Sequence, residues 1–183
     1  MSLDSLFKPR SIAVYGASAT DSRKLGNTLL KNAAGGTGDV LAVHPEAETI
    51  DGIPAVAKLN RRIDLALISV PDKRVEAAVI DAAAAGAGTA IVLSSGFGET
   101  GPEGRKVQDR LVAIARSSGM RLVGPNCMGV VSHLGDDRWL NGSYFWSIPN
   151  KPGGLSFVSQ SGAFGGMFFG HLRASGLGLS RFL

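Results

Sequence analysis

Five short apolar runs, each followed by glycine, proline or a polar turn, limit what this chain can fold into. Ser11–Tyr15 stops at Gly16, Asp39–Val43 at His44-Pro45, and Asp64–Val70 at Pro71. Thr89–Leu93 runs into Ser94-Ser95-Gly96, and Met120–Val123 into Gly124-Pro125. The segments between them carry helical spacing. A helix is expected from about Lys24 to Asn32. A second starts behind Asp72 as N-cap, with Val75, Val79 and Ala82 on one face. A third opens near Pro102 and buries Val107, Leu111 and Ile114. Strands that are apolar on both faces and alternate with helices belong to a parallel sheet covered on both sides. Right-handed crossovers leave few topologies, so the pattern predicts an α/β, Rossmann-like doubly wound parallel sheet. Ligands of such sheets bind beyond the carboxyl ends of the strands. The loops to watch therefore start at Gly16, His44, Val70, Ser94 and Gly124.

The pattern changes beyond Val131. Residues 131–152 mix Gly, Asp, Asn and Pro with Trp139, Tyr144, Phe145 and Trp146 and show no clear period, so they are expected to be a connecting loop. From residue 153 a new unit starts: strand Leu155–Ser159, helix Ser161–Ser175, then Leu179–Leu183 as another strand. One strand-helix-strand unit of about 30 residues cannot bury its own faces. The expected organisation is residues 1–130 as a Rossmann-like domain, 131–152 as a loop, and 153–183 as the start of a truncated second domain. A chain of 183 residues fits this, at roughly 150 residues per domain.

Several classes drop out. A single cysteine, Cys127, rules out an internal disulfide framework and a cysteine metal cluster. The isolated histidines His44, His133 and His171 offer no metal constellation. The first residues, MSLDSLFKPR, lack the apolar core of a signal peptide. The longest uncharged stretch, Pro152–Leu172, is interrupted by six glycines and does not read as a membrane span. A cytoplasmic protein without a membrane or nucleic-acid partner is expected. The net charge of +4 is uneven: residues 1–137 balance 15 basic against 15 acidic side chains, whereas residues 138–183 hold four basic residues and no acid.

The loop Gly16-Ala17-Ser18 to Lys24 joins a strand to a helix N-terminus, where backbone amides and hydroxyls suit a phosphate. It lacks the Gly-x-Gly-x-x-Gly spacing, and the second strand ends in His44-Pro45 without the carboxylate that grips a ribose. Ser94-Ser95-Gly96-Phe97-Gly98-Glu99 offers close backbone approach and polar contacts. In Gly124-Pro125-Asn126-Cys127 the thiol has no visible base beside it, so it is not read as a nucleophile. Ser159-Gln160-Ser161-Gly162 has the small-x-Ser-x-small look of a nucleophile elbow, but only His171 follows, with no Asp or Glu. An anion site at the next helix N-terminus is the better reading.

Together these segments resemble one family. Leu6–Ser18, Asp51-Gly-Ile-Pro54, Gly96–Gly101, Gly124–Cys127, Leu140-Asn141 and Ser159–Ala163, in this order, resemble the NDP-forming acyl-CoA synthetases, the superfamily of succinyl-CoA synthetase. The resemblance implies a CoA-binding domain followed by a flavodoxin-like one. It implies that Gly16, Ala17, Ser18 and Lys24 face the CoA diphosphate. Val70, Pro71, Ser94, Ser95, Gly96, Phe97 and Glu99 would lie along adenosine and pantetheine, and Asn126 and Cys127 near the thiol. Ser159, Gln160, Ser161 and Gly162 would hold a phosphohistidine or an acyl phosphate. In similar proteins a basic residue after the second strand meets a CoA phosphate; here that region reads His44-Pro45-Glu46.

The catalytic histidine is expected downstream of Leu183, and an ATP-grasp domain or subunit would bring ATP, ADP and Mg. No catalytic residue and no metal ligand is then expected within these residues. The chain alone is expected to bind CoA or acyl-CoA without turnover, and to associate with the missing domains or with a second copy. Two other readings stay open at this point: a stand-alone or regulatory CoA-binding module, such as that of a protein acyltransferase, and an NAD(P)-binding oxidoreductase domain.

Overall fold

A computed structural model describes residues 2–149 and 151–183. A single helical turn, α1 (Asp4–Phe7), precedes the first strand, β1 (Ile12–Tyr15), whose four side chains are all buried. Helix α2 (Leu25–Ala34) leads to β2 (Val40–Val43). A small hairpin follows, β3 (Thr49–Ile50) and β4 (Ile53–Val56), turned at Asp51-Gly52. Then come β5 (Leu65–Ile68), α3 (Asp72–Ala84), β6 (Thr89–Val92), α4 (Pro102–Ser117) and β7 (Arg121–Val123). The sheet order is β3-β4-β2-β1-β5-β6-β7, and every neighbouring pair is parallel except β3 with β4. This is the doubly wound architecture the apolar runs predict.

The strands read as unbroken apolar runs because both faces are covered. On one side Ala13, Ala66, Ala90 and Val92 pack with Val75, Val79 and Ala82 of α3 and with Leu111 and Ala115 of α4. On the other, Val14, Leu67 and Ile91 pack with Leu29, Leu30 and Ala33 of α2. Burying the valine, leucine and isoleucine side chains among these is worth about 1.5–3 kcal/mol each, which sets the register of the sheet.

The expected loop over 131–152 is corrected in its first half. Residues Gly129–Gly135 form β8 and Arg138–Ser143 form β9, an antiparallel hairpin. The hairpin lacks a visible period because, away from its exposed turn at Asp136–Arg138, both of its faces are covered. Val130 and Leu140 enter the core under α2, while Val131 joins an aromatic cluster with Phe169, Leu172, Leu179 and Phe182. Residues with opposite side-chain directions thus end in two different cores, and alternation disappears.

The last elements are β10 (Pro152–Phe157), α5 (Gly162–Ser175) and β11 (Leu179–Phe182). They complete a second sheet of order β10-β11-β8-β9, in which β10 and β11 are parallel and β11 runs antiparallel to β8. The hairpin therefore supplies cover that the strand-helix-strand unit cannot make for itself. Three large apolar side chains in this part of the chain stay exposed, Trp146, Val158 and Met167, at 81%, 76% and 73%. Among the described residues no helix is long and apolar enough to cross a membrane.

Candidate functional site

The carboxyl edge of β1 is shaped by two glycines. Gly16 has φ +104°, and a Cβ on it would overlap the Ser69 carbonyl oxygen and lie 3.2 Å from the Val70 nitrogen. The chain can leave β1 in this direction, tight against the end of β5, only without a side chain. Ala17 is buried at 4% exposure and belongs to the core under α2. Ser18 is pinned by Asn27 from the first turn of α2: the Asn27 side chain accepts from the Ser18 amide (2.8 Å) and donates to the Ser18 carbonyl (2.9 Å). The same amide group donates to Asp51 at 2.9 Å. The Ser18 hydroxyl accepts from the amides of Thr20 and Asp21, so it closes its own turn. Lys24 stands exposed as N-cap of α2 without a side-chain capping bond.

Next along the edge, the Ser94 hydroxyl donates to the Val70 carbonyl at 2.6 Å and ties the β5 and β6 loops together. Val70 is half-buried, while Pro71 and Ser95 are exposed. Two of the expected contact residues turn their side chains away from the cleft. Phe97 is 1% exposed, with its ring in the core beside Val92 and Leu111, so only its backbone can reach a ligand. Glu99 turns its carboxylate back on the loop and accepts from the amides of Gly96 (2.7 Å) and Phe97 (3.2 Å). Those amides hold its pKa below the usual carboxylate range. Both residues build the loop instead of presenting a side chain to the cleft.

After β7 the Asn126 amide donates to the Ser94 carbonyl at 2.9 Å, which brings the third loop against the second. The Cys127 thiol donates to the Val92 carbonyl at 3.4 Å. Burial pushes its pKa up to about 11, so it is a neutral wall group at physiological pH. The Ser159–Gly162 turn sits opposite. A Cβ on Gly162 would overlap Met128, with its sulfur at 3.2 Å, so α5 meets the Gly124–Gly129 loop at that glycine. The Ser161 hydroxyl caps α5 by accepting from the Phe164 amide at 3.3 Å, and Ser159 accepts from the Ser161 amide at 3.0 Å. Gln160 is exposed at the tip.

These pieces line two adjoining cavities. One of about 420 Å³ lies over Leu25, Ser69, Val70, Pro71, Asp72 and Ser94. The other, of about 700 Å³, lies between Gly124–Gly129 and the Val158–Gly162 turn, closed by Phe182 and Leu183. Leu93, Ser95 and Tyr144 belong to both. Their sizes fall in the range of small-molecule sites. Gly16, Ala17, Ser18 and Lys24 line neither cavity, and neither does His44. His44 instead accepts the amides of Glu46 and Ala47 on Nδ1 (3.2 and 3.1 Å) and closes the turn after β2.

Three parts of this site lie outside the sequence-based set. Gly26 lets α2 approach Gly16, Asn27 holds Ser18, and Tyr144 stands between the cavities. The Tyr144 hydroxyl donates to Ser69 Oγ at 2.7 Å and its amide to the Met128 carbonyl at 3.3 Å. Asn32 fixes the bend that carries it by donating to the carbonyls of Ser143 (2.9 Å) and Phe145 (3.1 Å). Asn141 donates to the Phe145 carbonyl as well, at 3.2 Å. A sequence signal for Tyr144 existed only in its place within the aromatic stretch, and none identified its partner.

Comparison with known proteins adds the following. Residues 10–133 match the model of a CoA-binding domain. The chain is 40% identical over 165 residues to ADP-forming acetate–CoA ligase I of Archaeoglobus fulgidus, covering 88% of this chain and 23% of that protein. It is 37% identical over 185 residues to the alpha subunit of ADP-forming acetate–CoA ligase II of Pyrococcus furiosus, covering 99% of this chain and 39% of the subunit. A crystal structure from Pyrococcus horikoshii OT3 superposes over 100% of this chain and 41% of its own, with TM-score 0.90 and 35% identity. The chain thus spans between 23% and 39% of the length of these two curated relatives.

Proposed function

This chain belongs to the CoA-binding domain family, in the form found in the NDP-forming acyl-CoA synthetase superfamily, and on that premise we propose that it is the CoA-binding portion of such a synthetase. The whole protein would join a carboxylic acid to CoA while a nucleoside triphosphate is converted to the diphosphate and phosphate. The observation that carries the reading is the paired cavity along the carboxyl edge, which links the Leu25 and Ser69–Asp72 side to the Cys127 and Ser159 side.

In this reading the coenzyme lies along that edge with its diphosphate at Gly16, Ala17 and Ser18. Backbone amides and the nearby Lys24 would meet the phosphates there. Val70, Pro71 and Ser94–Gly96 would bound the adenosine and pantetheine, and Asn126 and Cys127 the thiol end. Cys127, kept neutral by burial, supplies a wall and does not compete as a nucleophile. The amides at the start of α5, with Ser159, Gln160, Ser161 and Gly162, would receive a phosphoryl or acyl-phosphate group.

We assign the histidine that carries the phosphoryl group, and the ATP-grasp unit that holds ATP, ADP and Mg, to polypeptide outside these residues. The second sheet, β8 to β11, would be the beginning of a succinyl-CoA-synthetase-like domain that follows the CoA-binding one. The exposed side chains Trp146, Val158 and Met167 would pack against the rest of that assembly, or against a second copy of this chain when those parts are missing.

Calorimetric titration with CoA, acetyl-CoA and NAD side by side tests the reading. CoA and acetyl-CoA should bind and NAD should not, since β2 ends without a ribose-binding carboxylate. Binding of NAD with none of CoA would overturn it. Incubation with acetate, CoA and ATP should yield no acetyl-CoA from this chain alone.

A further inference from the structure

We propose that Ser69, oriented by the hydroxyl of Tyr144, donates a hydrogen bond to an amide carbonyl of the pantetheine arm of CoA, at the point where the arm passes from the smaller cavity into the larger. The inference rests on the CoA reading above and adds two residues to it.

Tyr144 is one of three residues shared by both linings; of the others, Leu93 is 5% exposed and Ser95 sits on the rim. Anything that extends from one cavity to the other passes the tyrosine. Its position is fixed from three sides, by the hydroxyl on Ser69, by the amide on Met128, and by Asn32 holding the backbone on either side of it. Side chains held this way lose little freedom when a ligand arrives.

The hydrogen-bond inventory says what the pair can recognise. The phenol gives its one proton to Ser69 Oγ, so its oxygen still has acceptor capacity for an N–H. The Ser69 hydroxyl accepts that proton and makes no other side-chain hydrogen bond among the described residues, which leaves its own proton to give to a carbonyl. A trans secondary amide points its N–H and C=O in opposite directions, so the pair serves one of the two: the Ser69 hydroxyl, turned by the proton it accepts from Tyr144, donates to an amide carbonyl. Pantetheine carries two such amides between apolar stretches, and the face of the tyrosine ring suits those stretches.

Two ligands and three variants separate the possibilities: CoA, and adenosine 3′,5′-bisphosphate, which lacks the pantetheine arm, titrated into Tyr144→Phe, Ser69→Ala and the double variant. Each single variant should weaken CoA about three- to tenfold, the range of one hydrogen bond, and leave the bisphosphate unchanged. The double variant should lose less than the product of the singles, because the two hydroxyls act as a unit. Equal losses for both ligands would make the pair merely structural and overturn the proposal while the CoA reading stands. Unchanged CoA affinity in the folded variants would do the same. Failure of the unaltered chain to bind CoA would end both.

Discussion

Gly26 packs against Gly16 so closely that a Cβ on it would overlap the Gly16 carbonyl oxygen and lie 2.8 Å from the Ala17 nitrogen. The obstacle is backbone, and that backbone is itself held against the end of β5 by Gly16. Neither side can give way locally. The first turn of α2 therefore owes its distance from β1, and the loop between them its shape, to the missing side chain.

A Gly26→Ala substitution sets two effects against each other. Within a helix, alanine gains about 0.5–1 kcal/mol over glycine. Overpacking against rigid neighbours costs about 1–3 kcal/mol. With backbone atoms inside contact distance the second effect wins, so the variant should unfold several degrees lower and bind CoA more weakly. Gly35→Ala, at the other end of the helix with φ −69° and the nearest atom at 3.5 Å, should leave the midpoint unchanged or raise it. Thermal unfolding of the two variants measures this; equal midpoints would refute the packing argument.

Asn27→Ala removes a fully buried side chain that serves three groups. The Ser18 amide and carbonyl would lose their partner, at about 1–3 kcal/mol for each group left unsatisfied. Stability should fall by about 2 kcal/mol or more, and amide exchange at Ser18 should accelerate. The variant also changes the response to acid. The Asn27 amide, followed by the Lys31 ammonium at 3.4 Å, holds the Asp51 carboxyl below its ordinary range. A group with a depressed folded pKa contributes above its unfolded value, about 3.9, and loses that contribution as pH falls through the folded one. The stability gap between the two proteins should accordingly narrow below about pH 4. Denaturant melts at pH 3 and pH 7 that show the same gap would contradict the Asp51 part.

What the sequence made legible was governed by neighbours along the chain. Ile12–Tyr15 and Leu65–Ile68 are apolar throughout because helices cover both faces, and their stops at Gly16 and Pro71 are local chemistry. The loops of the site could be named for the same reason. Contacts made at long range were not legible. Asn32 reaches Ser143 across 111 positions and Tyr144 reaches Ser69 across 75, and nothing in either segment announces the other. The β8–β9 hairpin was hidden because its two faces enter different cores. The side-chain directions of Phe97 and Glu99 were hidden for a related reason: a glycine-rich loop can be located along the chain, but whether a side chain turns outward depends on the core beneath it and on the amides beside it.

Cys127 yields the sharpest test of how the larger cavity is built. Its thiol is raised from an ordinary value near 9 to about 11, first by burial, against a smaller opposing contribution from the Gly129 backbone. A rise of that size leaves about a hundredfold less thiolate than a free thiol has at the same pH. Alkylation at pH 8 should therefore be about a hundredfold slower in the folded chain than in urea. The sign of the stability effect follows from the same rise. A folded pKa above the unfolded one gives stability that is complete below the unfolded value and is lost as pH rises toward the folded one. The unaltered protein should consequently lose stability relative to Cys127→Ala between about pH 9 and 11, at a slope approaching about 1.4 kcal/mol per pH step of one. The alanine variant starts lower at neutral pH, because it leaves a small cavity beside Val92 and Gly124. Rapid alkylation of the folded chain at pH 8 would show that water reaches the sulfur. The wall between the β7 loop and the α5 turn would then be open.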